Sequence, residues 1–146
     1  MKGSKALKEA LDEIHILMEN AKKNLSSQKK DSYSKYRPLI RKSAYLGNPE
    51  GQYRYAQMFE FNNYTKNDKE DYNNKKYIYW MQKAANNGYA EAYNNLADYY
   101  ERGIGVEKDL KKSFELYKKA EELGSYLGKK NSKLMEKYLK KQGVLF

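Results

Sequence analysis

Three glycines, each with a serine or alanine four residues before it, recur along this chain at nearly equal intervals. Gly47, Gly88 and Gly124 align when their surrounding segments are superimposed, and they are spaced 41 and 36 residues apart. A period of this length is typical of arrays of paired helices, in which each unit packs only on its neighbours. The extra residues of the longer interval fall in the polar stretch 62–76, which predicts a lengthened loop.

Each period divides into two segments with the apolar spacing of a helix. In 89–103 and 109–124, apolar residues recur at steps of three and four. Asp109 is suited to an N-cap and Gly124 to ending a helix. Because the link between the two segments is short, the two helices are expected to be antiparallel neighbours. The same pattern predicts further helices over an N-terminal stripe from Leu7 to Leu25, around 37–47 after a polar link at 26–32, and over 48–61, 71–87 and 126–141.

We therefore expect one all-α domain over 1–146, a short solenoid of about seven antiparallel helices. Its repeat-like units are approximately 4–47, 48–88 and 89–124, followed by a capping helix at 125–141. Pro38 is expected near the start of its helix, because proline is tolerated in a first turn. The capping helix is expected to carry its large apolar residues on one side: Leu127, Leu134, Met135, Tyr138 and Leu139.

Residues 90–124 resemble the Sel-one-like repeat, a relative of the tetratricopeptide repeat. The small residue and the leucine of the family's first helix correspond to Ala92 and Leu96, and its G-x-G-V turn corresponds to residues 103–106. The remaining matches are Asp109, Ser113, Leu116, Tyr117, Lys119 and Ala120. The preceding unit matches at Trp80, Met81 and residues 83–85, but the 62–76 insertion replaces its glycine turn.

The resemblance implies a right-handed α-solenoid of two to three such repeats with terminal capping helices. It also implies that the first helix of each repeat lines a concave face, and that the protein holds other proteins together. In this arrangement Trp80 is expected to be a buried packing residue.

Few residues of this chain are suited to catalysis or to metal binding. There is no cysteine, and His15 is the single histidine, so disulfides and zinc sites built from nitrogen and sulfur ligands are excluded within one chain. The Gly103-Ile104-Gly105 turn lacks the preceding strand, the third glycine and the Lys-Ser or Lys-Thr pair of a phosphate-binding loop. We expect no enzymatic activity, no cofactor and no metal.

No stretch is long and apolar enough to predict a membrane span. The N-terminal segment carries Glu9, Asp12 and Glu13 where a signal peptide would be apolar. The cytoplasm is therefore the expected compartment, and export followed by removal of a signal peptide is the alternative.

The first helices of the two clearest units carry polar stripes that no core requires. Steps of three and four residues place each set on one face of its helix. Together with the resemblance, this spacing predicts a partner-binding concave face made of Glu50, Tyr53, Gln57, Glu60, Glu91, Asn94, Asp98, Glu101 and Arg102. Its acidic character favours a partner segment that carries lysine or arginine, with Tyr53 as an aromatic anchor.

The whole chain is nevertheless basic, with a net charge of +10. Its cations are mainly lysines rather than arginines, and lysine, asparagine and tyrosine all have AT-rich codons, so codon usage also accounts for the excess. Two functions remain open: a protein-binding module, either an adaptor or a dedicated inhibitor such as an immunity protein or antitoxin, and a nucleic-acid-binding protein. The second would use the lysine-rich second helices and a C-terminal patch of Lys129, Lys130, Lys133 and Lys137. The partner's identity and the oligomeric state stay open.

Overall fold

The computed structural model describes residues 29–60 and 73–145, together with the helical residues 8, 12, 15 and 16. Side chains are described from Arg37 onward in the first of these ranges. The two ranges contain six helices and no strand: α1 (Lys29–Tyr45), α2 (Pro49–Gln57), α3 (Asn74–Asn86), α4 (Ala90–Arg102), α5 (Leu110–Glu122) and α6 (Tyr126–Lys141). These are six of the seven predicted helices. Most of the predicted N-terminal helix lies outside the described residues.

Two boundaries differ from the sequence-based expectation. Helix α1 begins at Lys29, so most of the predicted polar link is helical, and Pro38 lies in the interior of α1 rather than near its start. The segment before Pro38 has no apolar periodicity, and that periodicity was the signal used to place the helix start. The predicted loop at 62–76 also ends early, because residues 74–76 form the first turn of α3. Residues 61–72 lie outside the described residues.

The helix ends are fixed by local chemistry that the sequence shows. Asn48 caps α2 by accepting a hydrogen bond from the backbone N–H of Gly51, and Pro49 occupies the first turn. Asp109 caps α5 by accepting from the N–H of Lys112 at 3.0 Å, as predicted. Helix α4 ends at Gly103, whose φ of +66° is left-handed and therefore favours glycine.

The helices form two layers. Each helix packs against the next one in the chain, and links at 46–48, 87–89 and 123–125 are so short that consecutive helices are antiparallel. Hydrogen bonds join α2 to α4 and α4 to α6, while Tyr45 of α1 contacts Trp80 of α3. The even-numbered helices therefore share one layer and the odd-numbered helices share the other, as in a helical solenoid.

Small residues allow the two layers to approach closely at repeat-equivalent positions. A Cβ added to Gly51 of α2 would lie 2.3 Å from the Oγ of Ser43 on α1. One added to Gly128 of α6 would lie 2.6 Å from the Cβ of Ala120 on α5. Ala92 occupies the equivalent position on α4 and is fully buried. The repeat thus depends on a small residue at this crossing, because bulk there would separate the helices.

The core is continuous from α1 to α4, and a second cluster joins α4, α5 and α6 around Ala97, Tyr117, Met135 and Leu139. Trp80 is 6% exposed, so the prediction that it is buried is confirmed. Within the described ranges, no helix is long and apolar enough to cross a membrane. In the same ranges, no three His, Asp or Glu side chains are grouped so that they could hold a metal ion.

Candidate functional site

The even-numbered layer presents the polar stripes predicted to bind a partner. Helices α2 and α4 lie side by side, joined where the Nδ2 of Asn95 donates to the hydroxyl oxygen of Tyr53 at 3.3 Å. A second bond runs from the hydroxyl of Tyr99 on α4 to Glu60, just beyond α2, at 3.2 Å. These contacts fix the register of the two stripes against each other.

On α2, the predicted residues are partly engaged with their own helix and with α4. Glu50 accepts from the guanidinium of Arg54 at 2.7 Å, one helical turn away. The ring of Tyr53 packs against Tyr89 with centroids 4.7 Å apart, and burial is the main cause that raises the pKa of Tyr53. Tyr53 is therefore only partly available to a partner. Gln57 is half-buried beside this stripe.

On α4, Glu91, Asp98 and Arg102 follow one open stripe, at steps of seven and four residues. Asp98 and Arg102 form an ion pair within the helix. The half-buried Glu91 has no ion-pair or hydrogen-bond partner among the described residues. It is therefore the carboxylate of this stripe best placed to meet a cation from outside.

Asn94 does not lie on the open surface. It is 7% exposed, and its Oδ1 accepts from the Nδ2 of Asn131 on α6 at 2.9 Å. The prediction that Asn94 faces a partner is therefore wrong: helix α6 packs against this side of α4, and the amide pair satisfies both polar groups there. Sequence spacing alone placed Asn94 on the same stripe as Glu91, at its edge.

Glu101 lies where the acidic stripe of α4 meets the surface that packs against α5. Its Oε2 accepts from the hydroxyl of Tyr117 at 2.8 Å. Burial and this hydrogen bond raise the pKa of Tyr117 above its ordinary value. Glu101 therefore has a structural role in addition to its place in the stripe.

The stripe formed by α2 and α4 is acidic, but less so than the sequence suggested. Glu50, Glu60, Glu91, Asp98 and Glu101 contribute five carboxylates, and two guanidinium groups, of Arg54 and Arg102, lie among them. The local net charge is thus −3, in a chain whose total charge is +10. Glu50 and Asp98 are each already paired with one of these arginines.

A groove of about 390 Å³ extends this surface between α4, α5 and α6. It is lined by Glu101, Lys108, Leu110, Tyr117, Asn131, Leu134, Met135 and Tyr138. Sequence reasoning assigned none of the α6 residues that line this groove to a binding surface. The 36-residue period was the available signal, because it maps Glu91, Asp98 and Arg102 onto Leu127, Leu134 and Tyr138.

Helix α6 accordingly has apolar residues on two faces, not on one as expected. Met135 and Leu139 are buried, at 4% and 1% exposed, whereas Leu127, Leu134 and Tyr138 are 49%, 60% and 48% exposed. Leu127, Leu134 and Tyr138 follow steps of seven and four residues, which place them on a separate stripe. The acidic stripe of α4 therefore continues into an apolar stripe on α6.

The alternative lysine patch lies on α6, where steps of three and four residues place Lys130 and Lys137 beside Leu134 of the apolar stripe. Lys129, Lys130, Lys133 and Lys137 are all exposed on α6, and none forms an ion pair within the described ranges. The lysines of α5 are exposed on the opposite layer. The lysines of α6 thus lie in the same layer as the acidic stripe of α4, whereas the lysines of α5 lie in the other layer.

Comparison with known proteins shows which sequences and structures this chain resembles. The Sel1 repeat family model matches residues 49–70, 72–89 and 90–125. An uncharacterized Sel1-like repeat-containing protein of Schizosaccharomyces pombe is 34% identical over 97 residues, covering 66% of this chain and 14% of that protein. The chain therefore spans only a small part of the length of this relative.

Two crystal structures share the fold. A Sel1 repeat protein from Oxalobacter formigenes aligns with a TM-score of 0.63 at 24% identity, over 91% of this chain and 98% of that one. A protective antigen with an SLR fold from uropathogenic Escherichia coli strains, c5321, aligns with a TM-score of 0.67 at 21% identity. The second alignment covers 86% of this chain and 26% of that chain.

Proposed function

Because the chain belongs to the Sel1 repeat family, whose members are generally protein–protein interaction modules, we propose that it binds another protein through the surface formed by α2, α4 and α6. The binding residues are Glu50, Tyr53, Gln57, Glu60, Glu91, Asp98, Glu101 and Arg102, extended by Leu127, Leu134 and Tyr138. The protein acts by binding and not by catalysis.

The observation that supports this proposal is the continuity of the acidic stripe with an apolar groove. Glu91 and Asp98 lie on the same face of α4, and Leu134 and Tyr138 line the groove beside Glu101. A surface of this composition favours a partner segment in which a lysine or arginine stands next to an apolar side chain. The apolar side chain would be removed from water in the groove, and the cation would meet Glu91.

Two forms of this function differ in the number of partners. A dedicated inhibitor, such as an immunity protein or antitoxin, needs only the concave surface, and two or three repeats present an area suited to one partner. An adaptor needs a second surface for a second chain. The two forms make the same prediction for the concave residues.

The test is affinity capture from the native cell with a charge-reversed variant. Glu91→Lys combined with Asp98→Lys should abolish recovery of a specific partner, because it places two cations where the partner's cation binds. The matched control is Glu115→Lys combined with Glu122→Lys, which changes the charge equally on exposed positions of α5. Circular dichroism establishes that both variants are folded. Equal recovery of the same partner by both variants would show that the concave surface does not bind it.

The runner-up function is nucleic-acid binding through the C-terminal lysines. The exposure of Lys129, Lys130, Lys133 and Lys137 favours it. Replacing all four by Gln should then remove most of the affinity for a labelled oligonucleotide, and wild-type affinity should fall steeply with salt. Under the protein-binding function, the same replacements leave partner capture unchanged.

A further inference from the structure

A second exposed cluster lies on the odd-numbered layer, away from the concave surface. We name it the α1/α3 patch: Arg41, Lys42, Tyr45, Tyr79 and Lys83. Tyr45 and Tyr79 are 64% and 54% exposed. Both pack edge-on against the buried Trp80, with centroids 4.9 Å and 5.3 Å away. The rings are thus held in place while much of their surface remains open to solvent.

Two cations are held over these rings. The guanidinium carbon of Arg41 lies 5.2 Å from the centroid of Tyr45. The Nζ of Lys83 lies 5.1 Å from the centroid of Tyr79 and 5.5 Å from that of Trp80. These cation–π contacts restrict the two side chains, so less conformational entropy is lost when an anion binds them.

The described parts of the two helices that carry these rings are rich in cations. Residues 37–45 and 74–86 contain six lysines and arginines and no aspartate or glutamate. No ion pair within the described part of the chain involves Arg41, Lys42 or Lys83. By contrast, the lysines of α5 alternate with Glu115 and Glu122, and Lys119 pairs with Glu122 at 3.8 Å.

Helix stability alone does not account for this arrangement. Lys42 and Lys83 stand in the last turns of their helices, where a cation is favoured by the helix dipole. The dipole gives no reason for two large exposed rings beside these cations. Exposed tyrosines next to an arginine are instead the composition of a protein-binding hot spot.

We propose that the α1/α3 patch is a second interaction surface, which binds a protein segment carrying both carboxylates and an apolar or aromatic side chain. The carboxylates pair with Arg41 and Lys83, and the apolar side chain packs between Tyr45 and Tyr79. A nucleic acid fits less well, because a cation already lies over one face of each ring and leaves a base only the opposite face for stacking. With the acidic concave surface on one layer and the basic α1/α3 patch on the other, the protein joins two chains of opposite charge.

The test uses the full chain and a fluorescein-labelled peptide of alternating Glu and Phe residues. Wild-type protein should bind this peptide with clearly higher affinity than a Gln–Phe peptide of equal length. Arg41→Gln combined with Lys83→Gln should weaken binding by about tenfold, as for loss of close charge pairs. Lys111→Gln combined with Lys118→Gln removes the same charge from α5 and should change the affinity by less than about twofold, because rim charges contribute little. Trp80, the only tryptophan, should change its fluorescence when the wild-type protein is titrated, a readout that needs no variant.

Several results would overturn the proposal. Equal weakening in the two double variants would mean a general polyelectrolyte effect, and an unchanged Trp80 emission would mean that the peptide binds elsewhere. Tighter binding of oligothymidylate of the same charge, lost in the Arg41/Lys83 variant, would make the patch a nucleic-acid site. A concentration-dependent dimer in light scattering, lost in that variant, would assign the patch to a second copy of this chain. None of these outcomes depends on Glu91 or Asp98, so they leave the concave-surface proposal to its own experiment.

Discussion

Gly51 and Ser43 approach so closely that a Cβ on Gly51 would lie 2.3 Å from the Oγ and 2.8 Å from the Cβ of Ser43. Gly51→Ala therefore overpacks the crossing of α1 and α2, and it should destabilise the fold by about 1–3 kcal/mol. The measurement is the free energy of unfolding in urea. Because the nearest atom is the serine oxygen, Ser43→Ala in the same chain should recover part of the loss. Additive effects of the two changes would mean that the helices separate instead.

Replacing each of two buried serines by alanine should affect the stability of the fold differently. The Oγ of Ser43 has no hydrogen-bond partner among the described residues, whereas the Oγ of Ser113 donates to the carbonyl oxygen of Ala97 at 2.7 Å. Ser113→Ala should cost about 1 kcal/mol, the net contribution of a buried hydrogen bond. Ser43→Ala should leave stability unchanged or raise it by up to about 1 kcal/mol, because it removes an unsatisfied polar group. Equal losses in urea unfolding would contradict this difference.

The period and caps of the repeat could be predicted from the sequence because each has a local cause. Asp109 signals a helix start by its side chain, and Gly124 signals a helix end by its backbone freedom. The spacing of Ala92 and Leu96 signals the buried face of α4. Contacts between repeat units were harder to predict from the sequence. Asn94 and Glu91 lie one helical turn apart, and helical spacing places both on the same stripe. Only Asn94, however, contacts α6. Which side of a helix its neighbour covers depends on packing that no local pattern encodes.

Trp80 should be a major contributor to stability. It is 6% exposed and contacts Tyr45, Tyr55 and Tyr79 at centroid distances of about 5 Å. Trp80→Ala should lower the free energy of unfolding by about 3–5 kcal/mol, as for large aromatic residues in cores. Tyr79→Ala, on the exposed side of the same helix, is the control and should cost about 1 kcal/mol or less. A Trp80 variant with an unchanged melting temperature would contradict the burial.

Stability should fall at alkaline pH because buried tyrosines resist ionisation. Burial raises the pKa of Tyr77, which stacks on Tyr99 with centroids 4.0 Å apart; burial and the bond to Glu101 raise that of Tyr117. In the unfolded chain both ionise near a pKa of about 10. Their contribution is therefore complete below about pH 10 and is lost above it, by up to about 1.4 kcal/mol per pH unit for each tyrosine.

Urea unfolding from neutral to alkaline pH measures this loss. Tyr77→Phe or Tyr117→Phe should make the decline above about pH 10 shallower, because one titrating group is removed. Tyr126→Phe is the control, since Tyr126 is 77% exposed, and it should leave the slope unchanged. A slope that is the same in all four proteins would mean that other groups cause the alkaline loss.

The apolar stripe on α6 should matter for binding and not for folding. Leu134 is 60% exposed and lines the groove with Tyr138 and Glu101, so Leu134→Glu removes little buried area and should change stability by less than about 0.5 kcal/mol. In the groove, however, it places a carboxylate where an apolar side chain of the partner would be desolvated, and capture of that partner should fall at least about tenfold. Leu123→Glu, at a 43% exposed position at the end of α5, introduces the same change away from the groove and should leave capture intact. Loss of stability in the Leu134 variant would show that the stripe is part of the core, and equal capture by both variants would exclude α6 from the binding surface.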